Sequence, residues 1–337
     1  MKGFLGLSGL APEEVADLLA LAARLERSPE PDALKGRVLA LLFFNPSLRT
    51  LASFQAGMAR LGGSSFVISP GQGTWLLETR QGVVMDGAAA EHVREAIPVL
   101  AGYADALGIR SFAGGTDLAE DLADSAFRSM VEVCPVPAIN LESAIDHPCQ
   151  ALADWKTMDD LDIPTGGKFV LTWAWHPKPL PLAVPAAAVH MAAQRGMEVT
   201  VLRPEGFALP EPVMARARAA AALSGGSVRE TADRAEALEG ARVIYAKSWT
   251  SPLHYGDPKV EADFRSGLRG WCVGDDWFDT AAPDCRFMHC LPVRRNVVVK
   301  DSVLDGPRSV VVHEARNRMW AQMAVLHRLL LGQGEQR

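Results

Sequence analysis

The feature that most constrains the fold is a regular alternation of short apolar runs with longer segments whose apolar residues recur at helical spacing. The short runs predict buried strands, and the longer segments predict amphipathic helices. Strands that alternate with helices form parallel sheets covered by helices on both faces. The predicted strands are residues 37–42, 65–69, 106–110, 136–141, 169–173, 198–202, 242–246, 286–289 and 309–312.

The chain length predicts more than one hydrophobic core, because 337 residues is long for a single domain. A new strand follows Gly166-Gly167, and no internal repeat or low-complexity stretch is present. We therefore expect two α/β units, each a doubly wound parallel sheet, joined near residues 140–165.

Composition excludes several classes of protein. A net charge of -6 offers no basic footprint for nucleic acid or an anionic membrane surface. The five cysteines are scattered without a CxxC pair, so neither a disulfide framework nor a structural zinc site is indicated. The N-terminus lacks the pattern of a signal peptide, and apolar stretches such as residues 181–193 contain prolines and are too short to span a bilayer. We expect a protein of the reducing cytoplasm.

Residues 47–50, Ser-Leu-Arg-Thr, lie where a predicted strand meets a predicted helix. Backbone N–H groups at a helix start and the helix dipole favour an anion. The Ser47 and Thr50 hydroxyls and the forked Arg49 cation suit a phosphate. The alternative is a capped helix with a surface arginine. Glycines and a lysine at P-loop spacing are missing, so this is not a Walker loop.

Further polar residues follow other predicted strands, and the carboxyl ends of parallel strands share one edge of a sheet. Together they form a predicted anion site with no carboxylate cluster for a metal. Such a set suits a small phosphorylated substrate whose reaction needs charge stabilisation. For His147 taken alone, the alternative is a structural role as a helix cap. The residues are Ser47, Arg49, Thr50, Arg110, His147, Gln150, Cys290 and Arg318.

Trp75 lies in a glycine-flanked loop with no local apolar pattern to receive it. We expect it to contact a ligand or another subunit. The alternative is a side chain folded onto its own surface.

Three ordered motifs resemble the signature of the aspartate/ornithine carbamoyltransferases: Ser-x-Arg-Thr at 47–50, His-Pro-x-Gln at 147–150 and His-Cys-Leu-Pro at 289–292. The resemblance covers nearly the whole chain. The Ser-Met-Gly segment of ordinary ornithine carbamoyltransferases is absent. Instead, other segments resemble the N-acylornithine branch, which uses N-acetyl- or N-succinylornithine: residues 74–75, 84–87, 176–180, 245–249 and 291–296.

This resemblance implies two domains with a cleft between them. Residues 1–145 with a C-terminal helix at 316–337 would bind carbamoyl phosphate, and residues 146–315 would bind the N-acylornithine. It also implies a homotrimer in which Trp75 reaches a neighbouring site, and no cofactor or metal. His147, Arg110 and Arg49 would be catalytic. The implied carbamoyl-phosphate contacts are Ser47, Leu48, Arg49, Thr50, Trp75, Arg110, His147, Gln150, Cys290, Leu291 and Arg318.

The implied acylornithine contacts are Trp75, Ala90, Glu142, Lys178, Lys247 and Arg294. The acetylornithine enzyme carries a glutamate at the place of Ala90, so a small neutral residue there favours N-succinylornithine, with N-acetylornithine as the alternative. The reaction implied is carbamoyl transfer to the δ-amine in arginine biosynthesis.

One departure from the family pattern motivates an alternative. The family usually has an arginine after Thr50, whereas this chain has Leu51. A non-catalytic carbamoyl-phosphate-binding paralogue therefore stays open. Another amine acceptor, such as putrescine or free ornithine, is an alternative within the class. Putrescine is disfavoured, because its far amine would need an anionic pocket whereas Lys178, Lys247 and Arg294 are cations. A nucleotide-dependent dehydrogenase is disfavoured because no GxGxxG follows a strand.

Overall fold

The computed structural model describes residues 3–331, which divide into two compact units. The first unit comprises residues 3–114, 119–149 and 318–331. The second comprises residues 115–118 and 150–317. Each contains a parallel sheet with helices, which confirms the predicted α/β class.

The first unit contains β1 (Gly3–Phe4), β2 (Val38–Phe43), β3 (Ser64–Ile68), β4 (Leu77–Glu78), β5 (Glu91–His92), β6 (Ala106–Arg110) and β7 (Ala138–Glu142). Between these strands lie α1 (Pro12–Arg27), α2 (Leu48–Arg60), α3 (Val93–Ala101), α4 (Leu118–Ala123) and α5 (Ser125–Glu132). The main sheet has the order β1-β7-β6-β2-β3, and β4 pairs with β5. All pairings are parallel.

The second unit contains β8 (Lys168–Trp173), β9 (Glu198–Leu202), β10 (Ser227–Thr231), β11 (Ala241–Lys247) and β12 (Arg286–Met288). The helices of this half of the chain are α6 (Pro148–Asp160), α7 (Ala183–Gln194), α8 (Glu211–Ser224), α9 (Arg234–Leu238), α10 (Pro258–Ser266), α11 (Asp301–Leu304) and α12 (Val311–Leu331). Its parallel sheet has the order β10-β9-β8-β11-β12. The chain passes from one unit to the other within α6 and within α12, and the short segment of residues 115–118 also belongs to the second unit.

The strand register brings the polar strand ends of the first unit together. In β2, Leu39 to Leu42 are fully or almost fully buried, as expected for a central strand of a covered sheet. Phe43 at the end of β2 pairs with Arg110 at the end of β6, and Arg110 pairs with Glu142 at the end of β7. The predicted polar edge of this sheet is therefore present.

One predicted strand is wrong, and one observed strand was not predicted. Residues 309–312 are not a strand: Ser309 makes a single bridge to Phe287, and Val311 begins α12. A short β-branched run cannot be distinguished from a buried helix start by periodicity alone. The polar edge strand β10 was missed because its sequence, Ser-Val-Arg-Glu-Thr, lacks an apolar run.

Within residues 3–331, every helix is too short or too polar to span a bilayer.

Candidate active site

The start of α2 carries the first motif. Ser47 is the N-cap, and its Oγ accepts a hydrogen bond of 3.3 Å from the Thr50 N–H. The buried Thr50 Oγ1 in turn accepts a bond of 2.6 Å from Nη2 of Arg318, which α12 supplies. Leu48 is 80% exposed. The structure thus places two motif hydroxyls and the Arg318 guanidinium at one helix N-terminus, where an anion is favoured.

A second cluster of the first unit surrounds the buried Glu142 carboxylate. Nη1 of Arg110 donates to it, and His147 Nε2 lies 3.4 Å from the same oxygen. All three side chains are buried. The predicted site residues Arg110, Glu142 and His147 are therefore in contact, and a desolvated ion pair of this kind acts strongly on a nearby ligand.

Asn45 is a member of this cluster that the sequence analysis missed. Its carbonyl oxygen accepts from Arg110 Nε at 3.2 Å, and its Oδ1 accepts from the Phe112 N–H at 2.8 Å. The Arg110 guanidinium also lies over the Phe112 ring, 4.5 Å from its centre. Its place in the sequence could have identified it, because Asn45 precedes Ser47 by two residues in the same strand-to-helix loop.

Trp75 and Ala90 lie beside each other at the β4–β5 pair. The Ala90 N–H donates to the Leu76 carbonyl at 3.1 Å, and the Trp75 indole N–H donates to Glu91 Oε2 at 2.8 Å. Trp75 is 60% exposed. Its indole edge is therefore held while its face remains accessible.

In the second unit, Gln150 belongs to a buried polar cluster. Its Nε2 donates to Asp154 Oδ1 at 2.7 Å and to Glu314 Oε1 at 3.0 Å. The other Glu314 oxygen accepts from the His289 N–H at 2.9 Å. Burial, reinforced by the neighbouring Asp154, raises the pKa of Glu314 well above its usual value.

Cys290 and Leu291 follow directly after His289. The Leu291 N–H donates to His289 Nδ1 at 2.9 Å, and Leu291 has a φ of 53°. A bulky side chain in this left-handed region is strained, and such strain concentrates at functional sites.

Two predicted acylornithine cations of the second unit, Arg294 and Lys247, lie near His176, and the backbone of the third, Lys178, contacts its ring. Nε of Arg294 donates to His176 Nε2 at 3.0 Å, and the Lys178 N–H donates to His176 Nδ1 at 3.1 Å. Burial lowers the pKa of His176, and the charges of Arg294 and Lys247 lower it further. His176 itself, which orients Arg294, was not among the site residues predicted from the sequence.

The buried thiol of Cys149 is no candidate nucleophile, since burial raises its pKa to about 12. In the described part of the chain, no group of three His, Cys, Asp or Glu side chains is arranged to hold a metal ion.

Comparison with known proteins identifies the family. Residues 2–160 match the carbamoyl-P binding domain of aspartate/ornithine carbamoyltransferase, and residues 184–329 match its Asp/Orn binding domain. The chain belongs to the aspartate/ornithine carbamoyltransferase family. This confirms the resemblance inferred from the three motifs, and it identifies the protein as a carbamoyltransferase.

Individual relatives of this carbamoyltransferase belong to the N-acylornithine branch. The N-acetylornithine carbamoyltransferase of Xanthomonas campestris is 39% identical over 98% of both chains. The N-succinylornithine carbamoyltransferase of Bacteroides fragilis is 38% identical over 88% of both chains. A solved structure of an N-acetyl-L-ornithine transcarbamylase, a glutamate-to-alanine variant with carbamyl phosphate and N-succinyl-L-norvaline, matches with a TM-score of 0.94 at 39% identity. That match covers 98% of this chain and all of the other.

Proposed function

We propose that this carbamoyltransferase transfers the carbamoyl group of carbamoyl phosphate to the δ-amine of an N-acyl-L-ornithine, giving N-acylcitrulline and phosphate for arginine biosynthesis. The observation that carries the proposal is the contact of Arg110, Glu142 and His147 at the strand ends of the unit that contains the Ser-Leu-Arg-Thr helix start. The relatives of the N-acylornithine branch support the acceptor.

The reaction is a direct transfer without a covalent enzyme intermediate. The neutral δ-amine attacks the carbonyl carbon, and charge develops on the carbonyl oxygen. Arg110 and His147 stabilise that oxygen, with Glu142 and Asn45 holding Arg110 in place. The C–O bond to phosphate then breaks, and the departing phosphate accepts the proton that the amine loses. Phosphate leaves into the cradle of residues 47–50, next to Arg318. Binding both reactants in one geometry supplies much of the acceleration.

Gln150 and the backbone carbonyls of Cys290 and Leu291 bind the carbamoyl amino group in this proposal. Lys178, Lys247 and Arg294 bind the carboxylates of the acylornithine in this proposal. The charges of Lys247 and Arg294 both act on His176, and the His176 ring accepts a hydrogen bond from the Lys178 backbone N–H. The uncharged acyl nitrogen of the substrate needs no acidic partner.

We propose N-succinylornithine as the preferred acceptor. Ala90 adds neither bulk nor negative charge beside Trp75. A glutamate-to-alanine variant of an N-acetylornithine enzyme binds an N-succinyl ligand, which supports the idea that one acidic residue excludes the longer acyl group. N-acetylornithine remains the alternative acceptor.

We further propose a homotrimer in which Trp75 completes the site of a neighbouring subunit. The exposed face of Trp75 and its tethered indole N–H support this role. Mixing Trp75→Ala with Arg49→Ala subunits should restore activity, because some sites then carry neither substitution. No restoration, or an active monomer in light scattering, contradicts the proposal.

The test of the reaction is carbamoyl transfer from labelled carbamoyl phosphate to N-succinyl-, N-acetyl- and free ornithine. We expect the highest kcat/KM with N-succinylornithine and at least a hundredfold loss in Arg49→Ala, since the phosphate loses a charged partner. Arg60→Ala, at the other end of α2, is the matched control and should retain activity. Carbamoyl-phosphate binding without transfer would indicate a non-catalytic paralogue and overturn the proposal.

Acceptor preference has its own test. Ala90→Glu should shift preference toward N-acetylornithine, because the new carboxylate repels the succinyl carboxylate. Ala90→Gln, of the same size without the charge, separates repulsion from bulk. Equal or better use of N-acetylornithine by the unmodified protein contradicts the succinyl preference.

A further inference from the structure

The orientation of the Gln150 side-chain amide is determined by two carboxyl groups. The side chain is 2% exposed, and its Nε2 donates to Asp154 at 2.7 Å and to Glu314 at 3.0 Å. Both amide hydrogens are thereby used. Oε1 of Gln150 is buried, and within residues 3–331 no group donates a hydrogen bond to it. The amide therefore retains an unsatisfied acceptor.

The two carboxyl groups form a buried pair. Glu314 is fully buried and Asp154 is 1% exposed. Two carboxylates so close together cannot both ionise without a large electrostatic cost, so the pair retains a proton. Burial and the charge of Asp154 raise the pKa of Glu314 accordingly. The buried Tyr245 hydroxyl and the Cys290 thiol face the same cluster.

Glu314 also connects Gln150 to the segment that carries Cys290. One carboxyl oxygen accepts from the Gln150 amide, and the other accepts from the His289 backbone N–H at 2.9 Å. A single side chain of α12 thus holds both Gln150 and the segment of Cys290 and Leu291. The proposed function places both in contact with the carbamoyl amino group.

We propose that Asp154 and Glu314 are positioning residues that hold Gln150 with its oxygen available as an acceptor, and that they make the site selective for carbamoyl phosphate over acetyl phosphate. The inference rests on the proposed function of Gln150 as a ligand of the carbamoyl group. Asp154 and Glu314 do not themselves touch the substrate.

The selectivity follows from hydrogen bonding, because the two acyl phosphates have nearly the same shape. The amino group of carbamoyl phosphate donates an N–H to the Gln150 oxygen, whereas the methyl group of acetyl phosphate cannot. A site built to bond an N–H leaves its buried acceptor unsatisfied when the analogue binds, which costs roughly ten- to hundredfold in affinity. A reversed Gln150 amide would present N–H groups to an amino group and lose this preference.

The test uses Glu314→Gln in the full-length protein. The substituted side chain has one oxygen, so it can accept from Gln150 or from His289 but not from both. We expect the Kd of carbamoyl phosphate to rise about tenfold and the Kd of acetyl phosphate to stay within twofold. Calorimetry measures both affinities, and KM for carbamoyl phosphate with Ki for acetyl phosphate checks them in turnover.

The matched control is Glu230→Gln. Glu230 is also a carboxylate of the second unit that accepts from a backbone N–H and a side-chain N–H, those of Leu209 and Arg203. This variant should leave both affinities unchanged. If Glu314→Gln does not fold, the same two Kd values are measured for Asp154→Asn, with the same expected result.

Parallel loss of affinity for both acyl phosphates, or loss for neither, overturns the inference. A purely structural role would weaken both equally. The proposed function fails separately, if the wild-type protein does not bind carbamoyl phosphate. If the wild-type protein binds carbamoyl phosphate and transfers its carbamoyl group while the Glu314 and Asp154 variants keep the same selectivity between the two acyl phosphates, that result contradicts only the positioning role.

Discussion

Two buried carboxyl groups, one in each unit, differ in what faces them. Glu142 of the first unit accepts from the Arg110 guanidinium and lies 3.4 Å from His147 Nε2. Glu314 of the second unit lies beside Asp154, and it accepts hydrogen bonds from the Gln150 side-chain amide and the His289 backbone N–H. One acid is thus paired with cationic or basic groups, whereas the other is paired with an acid and with amides.

The difference separates two uses of a buried acid. Opposite charges that are shielded from water create a strong local field, which suits a reaction in which charge develops. Two adjacent acids share a proton and act as hydrogen-bond acceptors of fixed direction, which suits the orientation of a neighbouring amide. We therefore expect substitutions at the first site to affect turnover and those at the second to affect selectivity.

The largest effect is expected for Arg110→Met. This variant removes the charge that stabilises the developing oxyanion and leaves Glu142 buried without its guanidinium, so kcat/KM should fall about a thousandfold. Steady-state kinetics measures the loss. Arg110→Lys retains the charge but cannot contact both Asn45 and Glu142. Its kcat/KM should lie between the values of the wild type and of Arg110→Met. Activity of Arg110→Met within tenfold of wild type would break the comparison.

A buried base in the second unit extends the comparison to stability. Burial, with the nearby Arg216 charge, lowers the pKa of His190 to about 4. Between this value and the unfolded value near 6.5, the unfolded chain binds more protons. The contribution of His190 is therefore complete above about pH 6.5 and is lost as the pH falls toward 4, by at most about 3 kcal/mol.

Urea unfolding between pH 7.5 and 4.5 measures this dependence. His190→Gln should flatten the acid side of the stability profile, whereas His254→Gln, at a partly exposed position, should leave its slope unchanged. An unchanged slope in His190→Gln would show that another group produces the acid sensitivity.

The smallest effect is expected for Arg265→Lys. Arg265 forms a buried ion pair with Glu261, and its Nη1 donates to the carbonyls of His176 at 2.9 Å and Lys178 at 3.0 Å. A lysine retains the charge but loses the fork that holds this loop. We expect KM for the acylornithine to rise about fivefold and KM for carbamoyl phosphate to stay constant, a difference of about 1 kcal/mol.

Arg195→Lys is the matched control for this prediction. Arg195 is a buried arginine of the same unit that pairs with Asp159 and donates to the Ile163 carbonyl at 2.6 Å. It should lose comparable stability without a change in either KM. Equal changes of both KM values in Arg265→Lys would show a general structural effect and weaken the assigned role of the loop.

The sequence alone determined the class of fold and the positions of the motifs. The alternation of apolar runs with helical spacing is a local property, so it predicts parallel strands and helices without knowledge of their packing. Ser47, Arg110 and His147 were predicted together because the ends of parallel strands meet at one edge. The contact of Arg110 and His147 with Glu142 agrees with that expectation. Their role in one substrate site stays a prediction.

Only the tertiary structure decided which buried polar groups face one another. Gln150 and Glu314 are separated by 164 positions, and no periodic pattern records that α12 brings Glu314 to Gln150 and His289. The same holds for Arg265, whose contacts with His176 and Lys178 span almost 90 positions. Apolar periodicity reports which face of an element is buried, whereas the partner of a buried polar group depends on how distant elements pack.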